Sequence, residues 1–250
     1  MNMNATTSKT IPAGRVRNVA DDLAAWMLQH WLFLVLASLG LWNLLPWMAP
    51  VFMKLGWETP ASIIYFVYQF FCHQMPQRSW FLFGPQFTYA KNDILMAMNG
   101  NTDPVIPRTM RVFIGTPEMG WKVAWSDRMV SFYGGWFLVG MVYAAMRNRW
   151  PGLSWTWAVM LLLPLAIDGG THVLSDWGGL REGFRETNAW LAVVTNYRFP
   201  PEFYAGDQWG SFNSIMRLIT GVLGAVGLMG FVLPYVDRAM PSNGKTPRVR

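Results

Sequence analysis

The sequence predicts an all-α polytopic membrane protein of about five transmembrane helices, with two long loops on one face. Three observations carry this. Of 250 residues, 52% are hydrophobic and only 14% charged, whereas about a quarter of a soluble domain is charged. Several apolar runs approach the roughly 20 residues a helix needs to cross a bilayer. The 15 tryptophans fit a chain whose amphipathic rings gather at headgroup level. The net charge of +6 does not indicate nucleic acid, because no basic run with interleaved aromatics exists to carry it. The lone cysteine, Cys72, excludes an intrachain disulfide.

Taken in order, residues 1–28 form a polar N-terminal tail, disordered over Met1 to Gly14 and without the short apolar core of a cleavable signal. A short amphipathic lead-in from Val19 to His30 meets the first span, Trp31 to Phe52. Thr59-Pro60 starts a second helix, with Pro in the first turn where its missing N–H costs nothing. That helix runs to Cys72 and is slightly short for a span. The first long loop, 76–127, reads as mixed. Arg111 to Gly115 and Trp121 to Trp125 resemble two strands around a turn, a β-hairpin over the membrane surface. Ser126-Asp127 caps a third span, Met129 to Met146. The fourth, Trp155 to Leu174, carries Asp168. After the second long loop, 176–210, the fifth span runs from Phe212 to Val236. Residues 29–236 thus form a single membrane domain, followed by a basic C-terminal tail, 237–250.

Five spans place both long loops on one face. The opposite face holds Lys54, Arg147, Arg149, Arg238, Lys245, Arg248 and Arg250. The bias of Lys and Arg in short segments marks the cytoplasmic side. The expectation is therefore a prokaryotic inner-membrane protein with a cytoplasmic C-terminal tail, the loops outside, and a translocated N-terminal tail. Its partners are the lipid bilayer and, for an accessory subunit, a larger membrane complex.

On the loop face the spans bring polar residues together. His30 opens span one there; Cys72, His73 and Gln74 end span two; Ser126, Asp127 and Arg128 open span three. Asp168, Thr171 and His172 lie near the end of span four, and Asn213, Arg217 and Thr220 in the first turns of span five. Asp168 and His172 share a helix face at i, i+4. Polar groups at this depth are costly unless paired or functional. One reading is a metal centre of Cys72, His73, Asp168 and His172, holding zinc or another transition metal with a water at an open position. Adjacent Cys72 and His73 seldom ligate one ion together, and a haem between His73 and His172 has less support. A catalytic reading uses Asp168 or His73 as base and Arg128 or Arg217 to hold an anion. The structural reading pairs Asp168 with Arg217 or Arg128, packs Cys72 as an inert thiol and makes His30 an interfacial anchor. Gly221, Gly224, Gly227 and Gly230 form a small-residue stripe suited to close helix packing.

Four segments resemble an uncharacterised prokaryotic membrane family, domain of unknown function family 2085. They are Cys72-His73-Gln74-x-Pro76-x-Arg78-Ser79; Gly120 with Lys122 to Trp125 and Arg128; Pro164 with Asp168, Gly169 and Thr171; and Arg217 with Thr220 and Gly221. The resemblance spans about Trp31 to Tyr235. Two positions depart from it: Ser126 stands where the family often has a second Cys, and His172 where it often has Gln. The resemblance implies fold and site but no activity. Three classes remain: an enzyme acting on a lipid or interfacial substrate, an accessory subunit, and a transporter using Asp168, Arg217 and His172. The lack of an inverted repeat counts against the last.

Overall fold

The computed structural model describes residues 19–98, 107–177 and 183–240; the disorder expected over Met1 to Gly14 lies outside them. Among the described residues, four helices are long and apolar enough to cross a membrane: α2 (Trp31–Lys54), α6 (Asp127–Met146), α7 (Trp155–Trp177) and α11 (Phe212–Ala239). Helix α1 (Val19–Gln29) leads into α2. The second predicted span is not one. Its helix, α3 (Glu58–Tyr68), has 11 residues and a length of roughly 16 Å, about half a bilayer core. It turns back along α2 and stops where the Tyr68 hydroxyl donates to the Trp42 carbonyl at 2.8 Å. The Arg111 guanidinium takes the Gln69 carbonyl just beyond its end.

Losing one crossing changes which residues share a face. The start of α2 packs beside the end of α6, with the Arg147 guanidinium 5.9 Å from the Trp31 ring. Trp31 and Leu32 cluster with Tyr143, Met229 and Leu233. The second half of α2 faces the loop side, where Trp47 meets Trp80 at 5.6 Å and Ala49 packs with Val123. The N-terminal helix therefore lies on the same face as the Arg147 connection and the end of α11. His30 belongs to that basic face rather than to the loop face, and Lys54 to the loop face.

Helix α11 is the central one. A Cβ at Gly221 would lie 2.0 Å from the Ser131 hydroxyl, one at Gly224 2.6 Å from Leu165, and one at Gly227 2.8 Å from Leu161. The small-residue stripe thus sets how closely α6 and α7 approach.

The hairpin expected in the first loop is present but displaced. β2 (Gly115–Thr116) and β3 (Gly120–Ser126) pair antiparallel, and β1 (Ser79–Leu82) pairs with the other edge of β3, giving the order β1-β3-β2. Arg111 falls in α5 (Pro107–Val112), not in a strand. Gly120 has φ +77°, and a Cβ there would meet the Leu82 carbonyl oxygen at 2.2 Å. Ile94 and Leu95 of α4 (Lys91–Ala97) pack with Phe81, Tyr89 and Met110 beside the sheet. In the second loop, α8 (Phe184–Thr187), α9 (Ala189–Val194) and α10 (Pro201–Tyr204) lie over the loop-side ends of α7 and α11. Residues 183–211 are called the cover below.

Candidate functional site

The site lies where the cover meets the ends of α6, α7 and α11. Arg217, on the third helical residue pair of α11, is 1% exposed. Its Nε and one terminal nitrogen donate to the two Asp127 carboxylate oxygens at 2.7 and 2.8 Å. The other terminal nitrogen donates to Asp207 Oδ1 at 2.6 Å, and the Asp207 carbonyl accepts a further bond at 2.6 Å. Asp207 comes from the cover. Its second oxygen accepts from Arg78 Nε at 2.8 Å, and Arg78 forks onto Asp176 with both contacts at 2.9 Å. Burial opposes charge on Asp207, but the Arg78 and Arg217 guanidiniums outweigh it and hold the carboxyl well below the usual range.

A second group adjoins the first. Asp168 of α7 accepts from Arg128 at 2.7 Å and from the Thr220 hydroxyl at 3.3 Å on one oxygen. Its other oxygen accepts from Arg185 at 2.6 Å. Arg185, on α8 of the cover, also meets His172 Nε2 at 3.0 Å, while the buried His172 Nδ1 has no partner among the described residues. Four arginines (78, 128, 185 and 217) and four aspartates (127, 168, 176 and 207) thus interlock without excess charge. Forked arginine–carboxylate geometry suits burial, because both partners fill their hydrogen-bonding capacity.

The cover is fastened mainly by polar contacts. Asn188, in the left-handed region at φ 42°, donates to the Arg185 and Tyr204 carbonyls and to Asn213. Asn213 in turn donates to the Arg185 and Gly206 carbonyls at 2.6 and 2.9 Å. The Arg185 N–H donates to Ser175 Oγ at 3.0 Å, and Lys91 reaches Glu186 at 2.5 Å. Among the described residues, the three apolar clusters draw nothing from the cover. Its apolar ties include ring edges, Trp209 on Trp80 at 5.8 Å and on Phe87 at 6.3 Å, and Trp190 and Phe203 on Phe212 at 6.0 and 6.1 Å. Two openings flank α8. A small polar one, with room for about one water, is lined by Arg78, Ser175, Asp176, Arg185 and Asp207. An apolar groove of about 450 Å³ is walled by Ala189, Ala192, Tyr197, Phe199 and Tyr204.

Of the sequence candidates, Asp168, Arg128, Arg217 and His172 come together. Cys72 and His73 do not join them. The buried Cys72 thiol donates to Ser126 Oγ at 3.4 Å and accepts the Gln74 N–H at 3.3 Å, while His73 is exposed. Among the described residues, no group of three or more His, Cys, Asp or Glu is placed to hold a metal ion. The reason is local. Gln74 adopts φ 50°, its side chain donates to the Tyr65 carbonyl, and its own carbonyl accepts from Lys122 Nζ at 2.8 Å. That turn fixes the thiol toward β3 and away from Asp168. The Asp168–Arg217 pair gives way to Asp168–Arg128–Arg185 because Arg217 is already filled by Asp127 and Asp207.

Sequence reasoning missed Arg78, Asp176, Arg185 and Asp207 as site members, and Lys122 as a buried base. Lys122 is completely buried, with Nζ on the Gln74 and Arg111 carbonyls at 2.8 Å each. Burial pushes its amine down to about 7; Cys72 acts against that shift and Arg111 adds to it. A neutral amine has two N–H groups, matching the two carbonyls. Arg78 stood in the Cys72 to Ser79 motif, while the loop 176–210 gave no local signal for which of its charges would enter the site.

This geometry can be set beside known proteins. Residues 118–200 match the model of a family described as a predicted membrane protein, DUF2085. The match takes in the Lys122 and Asp168 segments; the Cys72 and Arg217 segments lie outside it. The chain is also 28% identical over 184 residues to uncharacterized protein MJ1492 of Methanocaldococcus jannaschii, covering 68% of this chain and 85% of that protein. No solved structure matches the chain. The DUF2085 resemblance and the four apolar helices agree on an integral membrane protein.

Proposed function

We propose that the loop face is a gated site for an interfacial substrate, a lipid or other amphiphile whose polar headgroup enters beneath the cover. One observation carries this reading. The cover delivers two charged side chains, Arg185 and Asp207, into a charged site at the ends of the spans, yet it is held there mainly by polar contacts and ring edges and adds no residue to the three apolar clusters. Segments with few buried apolar contacts open at lower free energy than the core around them. When the cover lifts, Asp168, His172, Arg128, Arg217 and Arg78 line an exposed polar seat, with the apolar groove beside α8 available to a chain. In this reading Asp168 is the base, Arg128 orients it, and Arg217 holds an anionic group. Cys72 and His73 take no part, since the thiol is engaged with Ser126 and Gln74 and His73 is exposed.

The orientation proposed is a prokaryotic inner membrane with the basic face, and both termini, in the cytoplasm. The gate is tested by hydrogen exchange of residues 183–211 in nanodiscs. Faster exchange there than in α6, α7 and α11 supports it; equal protection throughout overturns it. Protease protection of tags at both ends in inverted vesicles tests the orientation, and tags on opposite sides would refute it.

A further inference from the structure

The two charges the cover inserts define what must replace them. Asp207 presents oxygens to three N–H groups: its carboxylate to Arg78 Nε and Arg217, and its carbonyl to Arg217 again. Arg185 presents N–H groups to Asp168 Oδ1 at 2.6 Å and to His172 Nε2 at 3.0 Å. Both side chains line the same small opening with Arg78, Asp176 and Ser175. With them in place, the interlocked acids and bases carry no excess charge. A ligand bringing only an anion would leave Asp168 Oδ1 and His172 Nε2 without the Arg185 donor, while Asp168 Oδ2 keeps Arg128. One bringing only a cation would leave the Arg78 and Arg217 N–H groups that face Asp207 without an acceptor, while Asp176 and Asp127 stay on the two guanidiniums. Buried donors and acceptors left unfilled are costly, so a ligand that fills both vacated places supplies acceptor and donor groups together.

Resting on the gated reading above, we infer that the site takes a zwitterionic headgroup, an oxyanion joined to a primary ammonium, in the positions of Asp207 and Arg185. The two non-bridging oxygens of a phosphodiester each accept more than one hydrogen bond, so they can meet the three N–H donors that Asp207 meets with its carboxylate and its own carbonyl. A primary ammonium has N–H groups for Asp168 and His172; a quaternary ammonium has none. The same chemistry belongs to a phosphoethanolamine lipid and to free phosphoethanolamine. The apolar groove that begins at Thr187, the last residue of α8, and is walled by Ala189, Ala192, Tyr197 and Phe199 favours the lipid.

The test uses the full chain in detergent with dihexanoyl phosphatidylethanolamine, the phosphatidylcholine and phosphatidylglycerol of equal chain length, a short-chain trimethylammonium lipid, and free phosphoethanolamine. The readouts are affinity and hydrogen exchange of residues 183–211. The expectation is binding by the ethanolamine lipid at least about tenfold tighter than the others, a difference of about 1.4 kcal/mol, with faster exchange of the cover. Free phosphoethanolamine opening the cover equally well would support the zwitterion and overturn the lipid. Equal affinity for phosphatidylglycerol or phosphatidylcholine would overturn the zwitterion with its primary amine. A double variant, Arg185→Ala with Asp207→Ala, separates this from the gate. If its cover exchanges fast yet no headgroup is preferred, the headgroup inference fails alone. If its cover stays protected, the gated reading fails with it.

Discussion

Asp207→Asn removes one charge from the centre of the lattice while keeping the side chain's shape. The wild-type carboxylate is 6% exposed and accepts from Arg217 at 2.6 Å and from Arg78 at 2.8 Å. Asparagine retains one acceptor oxygen and turns an NH2 group toward the other guanidinium, so one contact becomes donor against donor. Arg217 keeps Asp127 and Arg78 keeps Asp176, which softens the loss. Breaking a buried pair outright costs roughly 3–5 kcal/mol. With those partners retained, the expected cost is roughly 2–4 kcal/mol, near the lower end of that range. Because Asp207 joins the cover to the bundle, the loss falls on cover opening, where each 1.4 kcal/mol is about tenfold in the opening constant. Hydrogen exchange of residues 183–211 should accelerate by about 30-fold or more, with α6 and α11 unchanged at their centres. Unchanged cover exchange, or equal acceleration in all four spans, would refute the reasoning. Acid should act similarly: the depressed Asp207 carboxyl contributes stability that is present above its unfolded pKa near 4 and fades as pH falls further.

Three further outcomes follow from the packing and the sheet. Lys122→Met leaves the Gln74 and Arg111 carbonyls without a donor in a buried site, so stability should drop by about 1–3 kcal/mol, read from tryptophan-monitored thermal melts. In the wild type, the unfolded lysine binds more protons than the folded one between about 7 and 10.5, so this group's contribution should rise with pH across that window; a decline confined to the wild type would argue against a neutral Lys122. Gly221→Ala places a Cβ 2.0 Å from Ser131 Oγ and 3.0 Å from the Arg128 carbonyl; overpacking should lower stability by about 1–3 kcal/mol, and Gly221→Ala with Ser131→Ala should recover part of it. Cys72, 5% exposed, should react with a maleimide only after unfolding, and rapid modification of the native protein would contradict its place against Ser126.

Chain composition and apolar run length were enough to specify a helical membrane protein, because lipid admits few spanning structures and demands long apolar segments for them. The glycine stripe of α11 was likewise readable, since spacing alone puts those residues on one helix face. Asp168, Arg128, Arg217 and His172 were legible as a polar group for the same reason: polar residues inside or bordering spans stand out against their surroundings. The count of crossings was not legible. The run from Thr59 to Cys72 is apolar enough to resemble a short span, and only packing of α3 against α2 and β3 reveals that it turns back. That single difference moved His30 to the other face.

What the tertiary structure alone decided is the partner of each charge. Arg78 lies in one loop, Asp207 and Arg185 in the other, and their partners are 129, 10 and 17 residues away along the chain. Local periodicity carries no information across such distances when a loop intervenes. The same holds for Cys72, which looked like a metal ligand beside His73. The left-handed turn at Gln74 sends its thiol to Ser126, and no property of the neighbouring sequence reports that direction. Hydrophobic patterning acts residue by residue and can be read from the chain. Charge pairing in a buried site depends on which side chains the fold makes neighbours.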